Sequence, residues 1–281
     1  MQNIGKLYLV ATPIGNLEDI TYRAVKVLNE VDIIAAEDTR HSLKLLNHLN
    51  ISKPLISYHR HNEDSKTEVL ISKLLKGENI ALITDAGTPA ISDPGEEVVK
   101  QAIENNIEII PIPGACALIN ALIASGMDTR EFAFYGFLPI NKKLRKNKLE
   151  EIKKENKTII LYEAPHKINQ TLKDLLNEIG NINIVIAREL TKIHEEFIRG
   201  TIKKIIDSYD ELKGEMIIIL EGNKTANSNE ELTGILNNMS LEEHYQYYKK
   251  QNLNKKEIIK KIAKDRNVNK NEIYMKLINF E

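Results

Sequence analysis

Three turns rich in glycine and proline each follow a short apolar segment with the composition of a buried β-strand. They are residues 12–16 (TPIGN), 85–89 (DAGTP) and 111–114 (PIPG). Ligands of open α/β sheets bind where the strands end, so these turns are candidates for a small-molecule site. In the second turn, Gly87 would let a ligand approach the backbone and Pro89 would stiffen the exit. From the residues alone, a ligand pocket and ordinary strand-to-helix turn chemistry both remain open.

Two well-defined phosphate-binding motifs are absent from the sequence. No G-x-G-x-x-G segment follows a predicted strand, and no G-x-x-x-x-G-K-[ST] segment occurs. Such motifs cradle dinucleotides and nucleoside triphosphates through backbone N–H groups. Their absence argues against a dinucleotide-dependent oxidoreductase and against a P-loop enzyme.

Apolar segments rich in Ile, Val and Leu predict one sheet that positions the turns. They lie at residues 7–11, 32–36, 54–58, 80–84 and 107–111. Segments with apolar side chains at helical spacing separate the predicted strands, at residues 22–29, 40–49 and 64–75. Because strands and helices alternate, we predict a parallel α/β lobe over residues 1–113.

A further helix is predicted at residues 95–105, close after the second turn. Ser92 or Asp93 is placed to cap it, and Pro94 suits the first helical position. This helix would complete the first lobe.

The pattern then restarts and predicts a second α/β lobe over residues 114–224. It begins with a helix at residues 115–124 and continues with strands at residues 132–137, 158–162, 182–187 and 216–220. A strand candidate at residues 196–200 lies close to its neighbours, so we expect a mixed sheet.

The remaining residues, 225–281, are predicted to form a linker and a small basic helical appendage. Residues 223–231 are polar, as in a linker, and residues 240–281 contain ten Lys or Arg and six Asp or Glu. Helical patterns occur at residues 256–263 and 270–278. This appendage could contact nucleic acid or could simply be a solvated helical tail.

Composition limits the class of protein. The chain has 281 residues and a net charge of −1, so any nucleic-acid site must be a local patch. No segment approaches the roughly 20 apolar residues that cross a bilayer, and residues 1–6 lack a secretory signal. We expect a cytoplasmic protein with no membrane contact. The single cysteine, Cys116, fits that compartment, has no zinc-ligand spacing, and is expected to be a small buried apolar residue.

Several long segments resemble the tetrapyrrole-methylase superfamily. They include LYLVATPIGNLEDI at residues 7–20, AAEDTR at residues 35–40 and ALITDAGTPAISDPG at residues 81–95. The branch they resemble is the ribosomal RNA small subunit methyltransferase I family, which is also suggested by SYHRHNE, PIPGACAL, FYGFLP, LYEAPHK and ARELTKIHEEFIRG. The resemblance covers roughly residues 7–222.

The resemblance implies two α/β lobes with S-adenosylmethionine bound in the cleft between them, and a homodimer. Motif by motif, it assigns cofactor contacts to both lobes. These contacts are Pro13, Asp85, Ala86, Gly87, Thr88, Ile91, Ser92, Cys116, Ala117, Tyr162 and Ala187.

The implied reaction is methyl transfer to the ribose 2'-oxygen of a decoding-centre cytidine, cytidine 1402, of 16S ribosomal RNA. A ribose hydroxyl is a poor nucleophile, so we expect a group that accepts its proton. The candidates that we carry forward are His59, Lys192 and Glu195. His59 could instead be an exposed loop histidine, and Lys192 could form an ion pair with Glu195 or Glu196. His61, Glu37, Glu163 and His166 are further possibilities that spacing does not single out.

A cluster of five basic residues in seven, at residues 142–148, is the clearest candidate for binding RNA within the 30S subunit. The RNA-binding candidates are Lys142, Lys143, Arg145, Lys146, Lys148, His166 and Lys167. Because Glu150, Glu151 and Glu155 follow, a solvated, salt-bridged helix remains an alternative.

Two rival functions stay open. One is a superfamily relative that methylates carbon atoms of a corrin or another tetrapyrrole, since an anionic tetrapyrrole would also attract lysines. The other is a ribosome-assembly factor that keeps the fold without turnover, against which the intact cofactor turns argue. Measured affinity for S-adenosylmethionine would remove most support for the second.

Overall fold

A computed structural model describes residues 4–223, 236–251 and 253–277. The chain divides into two compact units, Met1–Leu149 with Thr158–Glu221, and Glu150–Lys157 with Gly222–Glu281. The first unit contains both predicted α/β lobes except residues 150–157 and 222–224. Of the predicted linker, only Asn223 belongs to the described residues. The domain boundaries at 113/114 and 224/225 stay predictions.

The first lobe is built on one parallel sheet, as predicted. Its strands are β1 (Leu7–Val10), β2 (Ile33–Ala36), β3 (Leu55–Ser57), β4 (Ile80–Ile83) and β5 (Ile109–Ile112). They lie in the order β3-β2-β4-β1-β5, and every pairing is parallel. The three strands that precede the glycine- and proline-rich turns, β4, β1 and β5, are therefore neighbours, and their carboxyl ends meet at one edge.

Helices cover both faces of this sheet because its strands are apolar on both sides. On one face, α1 (Tyr22–Glu30) and α2 (Thr39–His48) pack into a core with Val10, Ile34 and Ile83. On the other, α3 (Glu63–Leu75) and α4 (Glu96–Glu104) pack with Leu7, Ile33 and Leu82. The periodicity of the sequence predicted all four helices.

The predicted start of α4 is wrong. The helix begins at Glu96 with Gly95 as its N-cap, so neither Ser92 nor Asp93 caps it and Pro94 lies outside it. The backbone at Ser92 has a φ of +64° and that at Gly95 a φ of +144°, which a helical turn cannot accommodate. The Gly95 N–H donates instead to Glu63 Oε1 at 2.9 Å.

The second lobe carries a mixed sheet, also as predicted. Its strands are β6 (Phe132–Phe137), β7 (Thr158–Glu163), β8 (Asn183–Arg188), β9 (Glu196–Thr201) and β10 (Met216–Leu220), in the order β6-β7-β10-β8-β9. Only the β6–β7 pairing among these is parallel. The associated helices are α5 (Ala117–Ser125), α6 (Lys142–Lys154), α7 (Ile168–Glu178) and α8 (Ile202–Ser208).

The described part of the second unit contains α9 (Leu241–Lys249), α10 (Lys255–Asp265) and α11 (Lys270–Leu277) around a core that includes Tyr248, Ile258 and Ile262. The sequence patterns predicted α10 and α11, although Ile278 lies outside the described residues. They missed α9, whose aromatic and charged residues give no clear apolar stripe. Its signal was the capping box of Ser240 and Glu243.

Within residues 4–223, 236–251 and 253–277, no helix has the length and apolar character needed to cross a membrane.

Candidate active site

The three glycine- and proline-rich turns are joined to one another at the edge of the first sheet. The Thr12 N–H donates to the Gly87 carbonyl at 2.9 Å, and the Gly87 N–H donates to the Thr12 carbonyl at 3.1 Å. The Thr88 hydroxyl donates to the Ala115 carbonyl at 3.0 Å, which connects the second turn to the segment after the third. Side chain and backbone together therefore hold the turns as one rigid platform.

The second turn and its continuation have an unusual backbone. Gly87 and Gly95 have positive φ values of +86° and +144°, and the non-glycine residues Ala90 and Ser92 each have a φ of +64°. A positive φ at a residue with a Cβ costs of order 1–2 kcal/mol, and such strain is concentrated at functional sites. The backbone of this segment is more strained than a connection between β4 and α4 requires, which is typical of a functional site.

A cavity of about 370 Å³ opens beside this platform, within the first unit. Such a volume lies in the range of small-molecule sites, roughly 300–1,000 Å³. Nine residues predicted to contact a cofactor line it: Ala86, Gly87, Thr88, Ile91, Ser92, Cys116, Ala117, Tyr162 and Ala187. The structure thus brings together residues from both lobes. Cys116 is only partly buried and lies in the wall, so the expectation of a simple core cysteine is wrong.

Two predicted contacts, Pro13 and Asp85, are adjacent in sequence to lining residues but do not line the cavity themselves. Asp85 faces the next strand end, where its Oδ1 accepts the Asp38 N–H at 3.1 Å. Ile14, the next residue after Pro13, does line the cavity, and its side chain also packs into the core of the second lobe.

Sequence patterns missed several lining residues. The polar ones are Asp93 and Glu215, and an exposed aromatic one is Phe137; Glu163, a possible proton acceptor by sequence, also lines the cavity. Asp93 was interpreted as a helix cap, and the reversed backbone around Ser92 was the feature that no pattern revealed. The strand prediction at residues 216–220 could have indicated Glu215, since it directly precedes a strand at the edge of the lobe.

Acidic side chains at the ends of β2 and β4 affect one another near the cavity. Burial, followed by the charges of Glu37 and Asp85, raises the pKa of Asp93 to about 6, while Arg60 opposes the shift. Burial and then Asp85 also raise the pKa of Glu37. Arg60 crosses this region and donates to the Ser92 carbonyl. Asp93 is thus a carboxyl group in the cavity wall that changes charge close to neutral pH.

The three proposed proton acceptors do not line the cavity. His59 is partly buried just after β3; its Nδ1 is buried without a hydrogen-bond partner among the described residues, and Asn62 lies 3.3 Å from its Nε2. The Glu195 side chain is exposed, and its carboxylate accepts the Thr191 N–H at 2.6 Å.

Lys192 forms ion pairs with two carboxylates. Its Nζ lies 3.1 Å from both Glu189 Oε1 and Glu215 Oε2, so the expected ion pair exists but with different partners. Burial lowers the pKa of Lys192, but hydrogen bonds to Glu189 and Glu215 outweigh it and the pKa is raised overall. A lysine held in its charged form cannot accept a proton. Its side chain also packs on Gly15, where an added Cβ would lie 2.6 Å from Lys192 Cγ.

The basic cluster forms the exposed start of α6. Lys142, Lys143 and Lys146 are exposed, and Lys148 Nζ lies 5.1 Å from the centre of the Tyr135 ring. Arg145 differs, because its side chain is only 16% exposed and its Nε donates to Asp174 at 2.7 Å.

Two further RNA-binding candidates precede α7. Lys167 and the start of α6 line a second cavity of about 560 Å³ with Asp174 and Glu178, whereas His166 is exposed outside it. Among the residues that the structure describes, no group of three or more His, Cys, Asp or Glu side chains could hold a metal ion.

Comparisons with known proteins agree with this architecture. A family described as Tetrapyrrole (Corrin/Porphyrin) Methylases matches residues 6–206. The ribosomal RNA small subunit methyltransferase I of Halalkalibacterium halodurans is 50% identical over 96% of this chain and 93% of its own length. The protein of the same name from Bacillus subtilis is 47% identical over 97% of this chain and 94% of its own length.

Solved structures share the fold at low identity. Diphthine synthase has a TM-score of 0.60 at 12% identity, covering 80% of this chain and 94% of its own. The uroporphyrin III C-methyltransferase of Thermus thermophilus has a TM-score of 0.55 at 15% identity, covering 77% of this chain and 97% of its own. At these identities the likeness concerns the fold, whereas the family match and the near relatives concern descent. The chain therefore belongs to the tetrapyrrole methylase family and, within it, to the group of ribosomal RNA small subunit methyltransferase I proteins.

Proposed function

We propose that the chain is an S-adenosylmethionine-dependent methyltransferase that methylates the ribose 2'-oxygen of cytidine 1402 in 16S ribosomal RNA. The observation that carries the proposal is the cavity that the three turns and the second lobe line, in a chain about half identical to proteins named for methylation of small-subunit ribosomal RNA. Tetrapyrrole methylation has support from the shared family and fold alone.

The cavity suits S-adenosylmethionine by its chemistry. Its wall is largely apolar, which suits an adenine ring, and it includes Gly87, which has no side chain to fill the space. Burial, followed by the charge of Cys116, raises the pKa of Tyr162 to about 12, so its hydroxyl stays protonated and can donate a hydrogen bond. We propose that the nine predicted residues in the wall, together with Ile14 and Asp93, hold the cofactor or the reacting ribose.

When bound, S-adenosylmethionine supplies a methyl group that its sulfonium already activates. The chain must then align the ribose hydroxyl and take its proton. We propose Asp93 as the proton acceptor, because it lines the cavity and its pKa of about 6 leaves it ionised at neutral pH. The earlier candidates are less suitable: Lys192 is held in its charged form, and Glu195 caps a backbone N–H outside the cavity.

We propose that the exposed lysines at the start of α6 contact RNA phosphates. Lys142, Lys143 and Lys146 follow directly after the loop that leaves the cavity wall at Phe137. Arg145 is excluded from this surface, because its guanidinium already binds Asp174 and Thr171. Lys148, His166 and Lys167 remain secondary candidates.

We further propose that the enzyme acts on the 30S subunit in the cytoplasm as a homodimer. The apolar side chains of Ile119 and Ile123 lie one turn apart on α5 and are exposed. A second copy of the chain would cover them, so Ile123→Glu should convert a dimer to a monomer in analytical ultracentrifugation. A wild-type chain that sediments as a monomer would contradict this part of the proposal.

The test of the function is transfer of labelled methyl from S-adenosylmethionine to 30S subunits that lack their own modification. Label on the 2'-oxygen of cytidine 1402 is the expected result. No label on RNA, together with measured cofactor binding, would make tetrapyrrole methylation the leading function. RNA binding without measurable cofactor affinity would instead favour a non-catalytic assembly factor.

A further inference from the structure

Phe137 is unusually exposed for an aromatic residue in the wall of a cavity. It is the last residue of β6 and is 57% exposed, whereas most apolar residues lining the cavity are buried or partly buried. Exposure of a phenylalanine ring to water is unfavourable, and covering the ring stabilises it. Its position at the cavity mouth raises the question of what covers it during the reaction.

A bulge in β6 aims this ring at the cavity. Phe134 pairs with Ile160, Gly136 with Leu161, and Phe137 with Tyr162, so one extra residue lies between Phe134 and Gly136. In a regular strand of the same sequence, without the bulge, Phe134 and Phe137 would point to opposite faces, because they are three residues apart and side chains alternate along a strand. With it, both share the face of Tyr162.

A glycine makes this bulge possible. Gly136 has a φ of +61°, which residues with a Cβ rarely adopt, and an added Cβ would lie 3.4 Å from Ser92 Oγ. The unusual backbone conformation at Gly136 therefore determines the direction in which the Phe137 side chain points. Bulges that redirect a side chain are common next to active sites.

The ring is also braced from one side. The Tyr162 ring meets it at a centroid distance of 5.6 Å and an angle of 65°, and Phe134 supports Tyr162 in turn at 4.9 Å. Aromatic rings at these distances and angles attract each other and limit rotation. The exposed part of Phe137 is thus a flat surface whose orientation is fixed.

Positive charge follows immediately along the chain. The exposed Lys142, Lys143 and Lys146 begin α6 a few residues after Phe137. An aromatic platform beside a basic surface is the usual arrangement for binding single-stranded nucleic acid, where bases stack and phosphates meet lysines. A nucleotide whose ribose must enter the cavity has its base next to that ribose.

We propose that Phe137 is the stacking platform for the base of the nucleotide that is methylated, so that stacking holds the ribose at the cavity mouth. This inference rests on the proposed function and names a substrate-positioning residue for it. The rival occupant of the ring is the adenine of the cofactor, which the test below separates.

The first test is a comparison of Phe137→Leu and Phe137→Tyr in methyl transfer to unmodified 30S subunits. Stacking on an aromatic side chain is worth about 5- to 150-fold in affinity. We expect Phe137→Leu to raise KM for 30S subunits about tenfold, with KM for S-adenosylmethionine changed less than about twofold, and Phe137→Tyr to restore the wild-type value. Phe132→Leu, at the other end of β6 and 38% exposed, is the matched control. A larger rise in KM for the cofactor than for 30S subunits would overturn the proposal, as would unchanged constants.

The second test uses the absence of tryptophan from the sequence. Phe137→Trp introduces a single reporter, whose fluorescence a stacked base quenches. Addition of an unmodified 16S RNA transcript should quench Phe137→Trp and leave Phe132→Trp nearly unchanged. Quenching by S-adenosylmethionine alone, with none by RNA, would assign the ring to the cofactor. These outcomes are interpreted only beside wild-type methyl transfer: no transfer to RNA by the wild type contradicts the function, whereas normal transfer with no effect at Phe137 contradicts the platform.

Discussion

At the scale of single residues, the cavity wall depends on backbone that most side chains cannot accommodate. Gly87 has a φ of +86°, and a Cβ added there would lie 3.2 Å from Ile14 Cγ2 and 3.8 Å from the Ala115 carbonyl oxygen. The position is therefore crowded by the first turn, and the segment after the third turn is in ordinary contact. A larger side chain would have to move toward the cavity or displace a turn.

We predict that Gly87→Val lowers affinity for S-adenosylmethionine at least tenfold, because the new side chain would displace Ile14, which also lines the cavity, or the turn itself. Calorimetric titration with the cofactor measures the change. Gly126→Val is the matched control, since Gly126 has a similar φ of +80°, has no atom within 4 Å of an added Cβ, and does not line the cavity. Equal losses in both variants would mean that general strain, and not the wall, explains the effect.

Asp93 is the residue whose charge matters most in this proposal. Its ionised form is needed to accept a proton, and its pKa is raised to about 6 by burial and then by Glu37 and Asp85. The rate of methyl transfer should therefore rise as pH increases through about 6 and level off above about 7.

We predict that Asp93→Asn lowers the single-turnover rate at saturating cofactor about 100-fold or more and removes the dependence on pH near 6. Asp64→Asn, an exposed carboxyl on α3, should leave both unchanged. Persistence of the same pH dependence in Asp93→Asn would exclude Asp93 as the proton acceptor. Loss of cofactor affinity with an unchanged rate at saturation would reassign it to cofactor binding.

At the scale of elements, a polar network connects α6, α7 and β7. Arg145 donates to Asp174 Oδ2 and to the Thr171 hydroxyl, both at 2.7 Å, and that hydroxyl donates to Glu163. Glu163 is buried in the cavity wall, so the network supports the wall from behind. An arginine from the basic cluster thus serves the packing of two helices against the sheet.

We predict that Arg145→Met lowers the free energy of unfolding by about 2 kcal/mol, because Asp174 loses its charged partner in a largely buried place and keeps only the hydrogen bond from Gln170. Unfolding of the full chain in urea measures the change. Lys143→Met, on the exposed side of the same helix, should change it by less than about 0.5 kcal/mol. A larger effect of Arg145→Met on RNA affinity than on stability would return Arg145 to the RNA surface.

At the scale of the whole molecule, a net charge of −1 rules out general attraction to RNA. Attraction must come from an uneven distribution, and Lys142, Lys143 and Lys146 concentrate positive charge on one helix end. Lysines that contact RNA phosphates release the counterions condensed on the RNA, so affinity should decrease as salt increases.

We predict that replacing Lys142, Lys143 and Lys146 with Ala weakens RNA binding and reduces the slope of log affinity against log salt by about 2, at roughly 0.7 per phosphate contact on single-stranded RNA. Filter binding over a range of salt concentrations measures the slope. Replacement of three exposed lysines of the first lobe, Lys44, Lys76 and Lys100, is the control of equal charge. Equal slopes in the two variants would show that the α6 lysines only face water.

The sequence by itself determined the parallel first sheet, the mixed second sheet and the three turns at the first sheet's edge. These features depend on apolar periodicity and on glycine and proline, which act over a few residues. Resemblance to a family then predicted nine of the nineteen residues that line the cavity. They include Gly87 and Ala117, which lie in the turns or follow them closely, and Tyr162 and Ala187 in the second lobe.

Only the tertiary structure decided which polar and aromatic side chains reach the cavity. A reversed backbone at Ser92 makes Asp93 part of the wall and not a helix cap, and a one-residue bulge directs Phe137 toward the cavity mouth. Arg145 belongs to a run of lysines by sequence, yet its partner Asp174 lies 29 residues further along the chain. Side-chain direction depends on register and on distant partners, and a local pattern specifies neither.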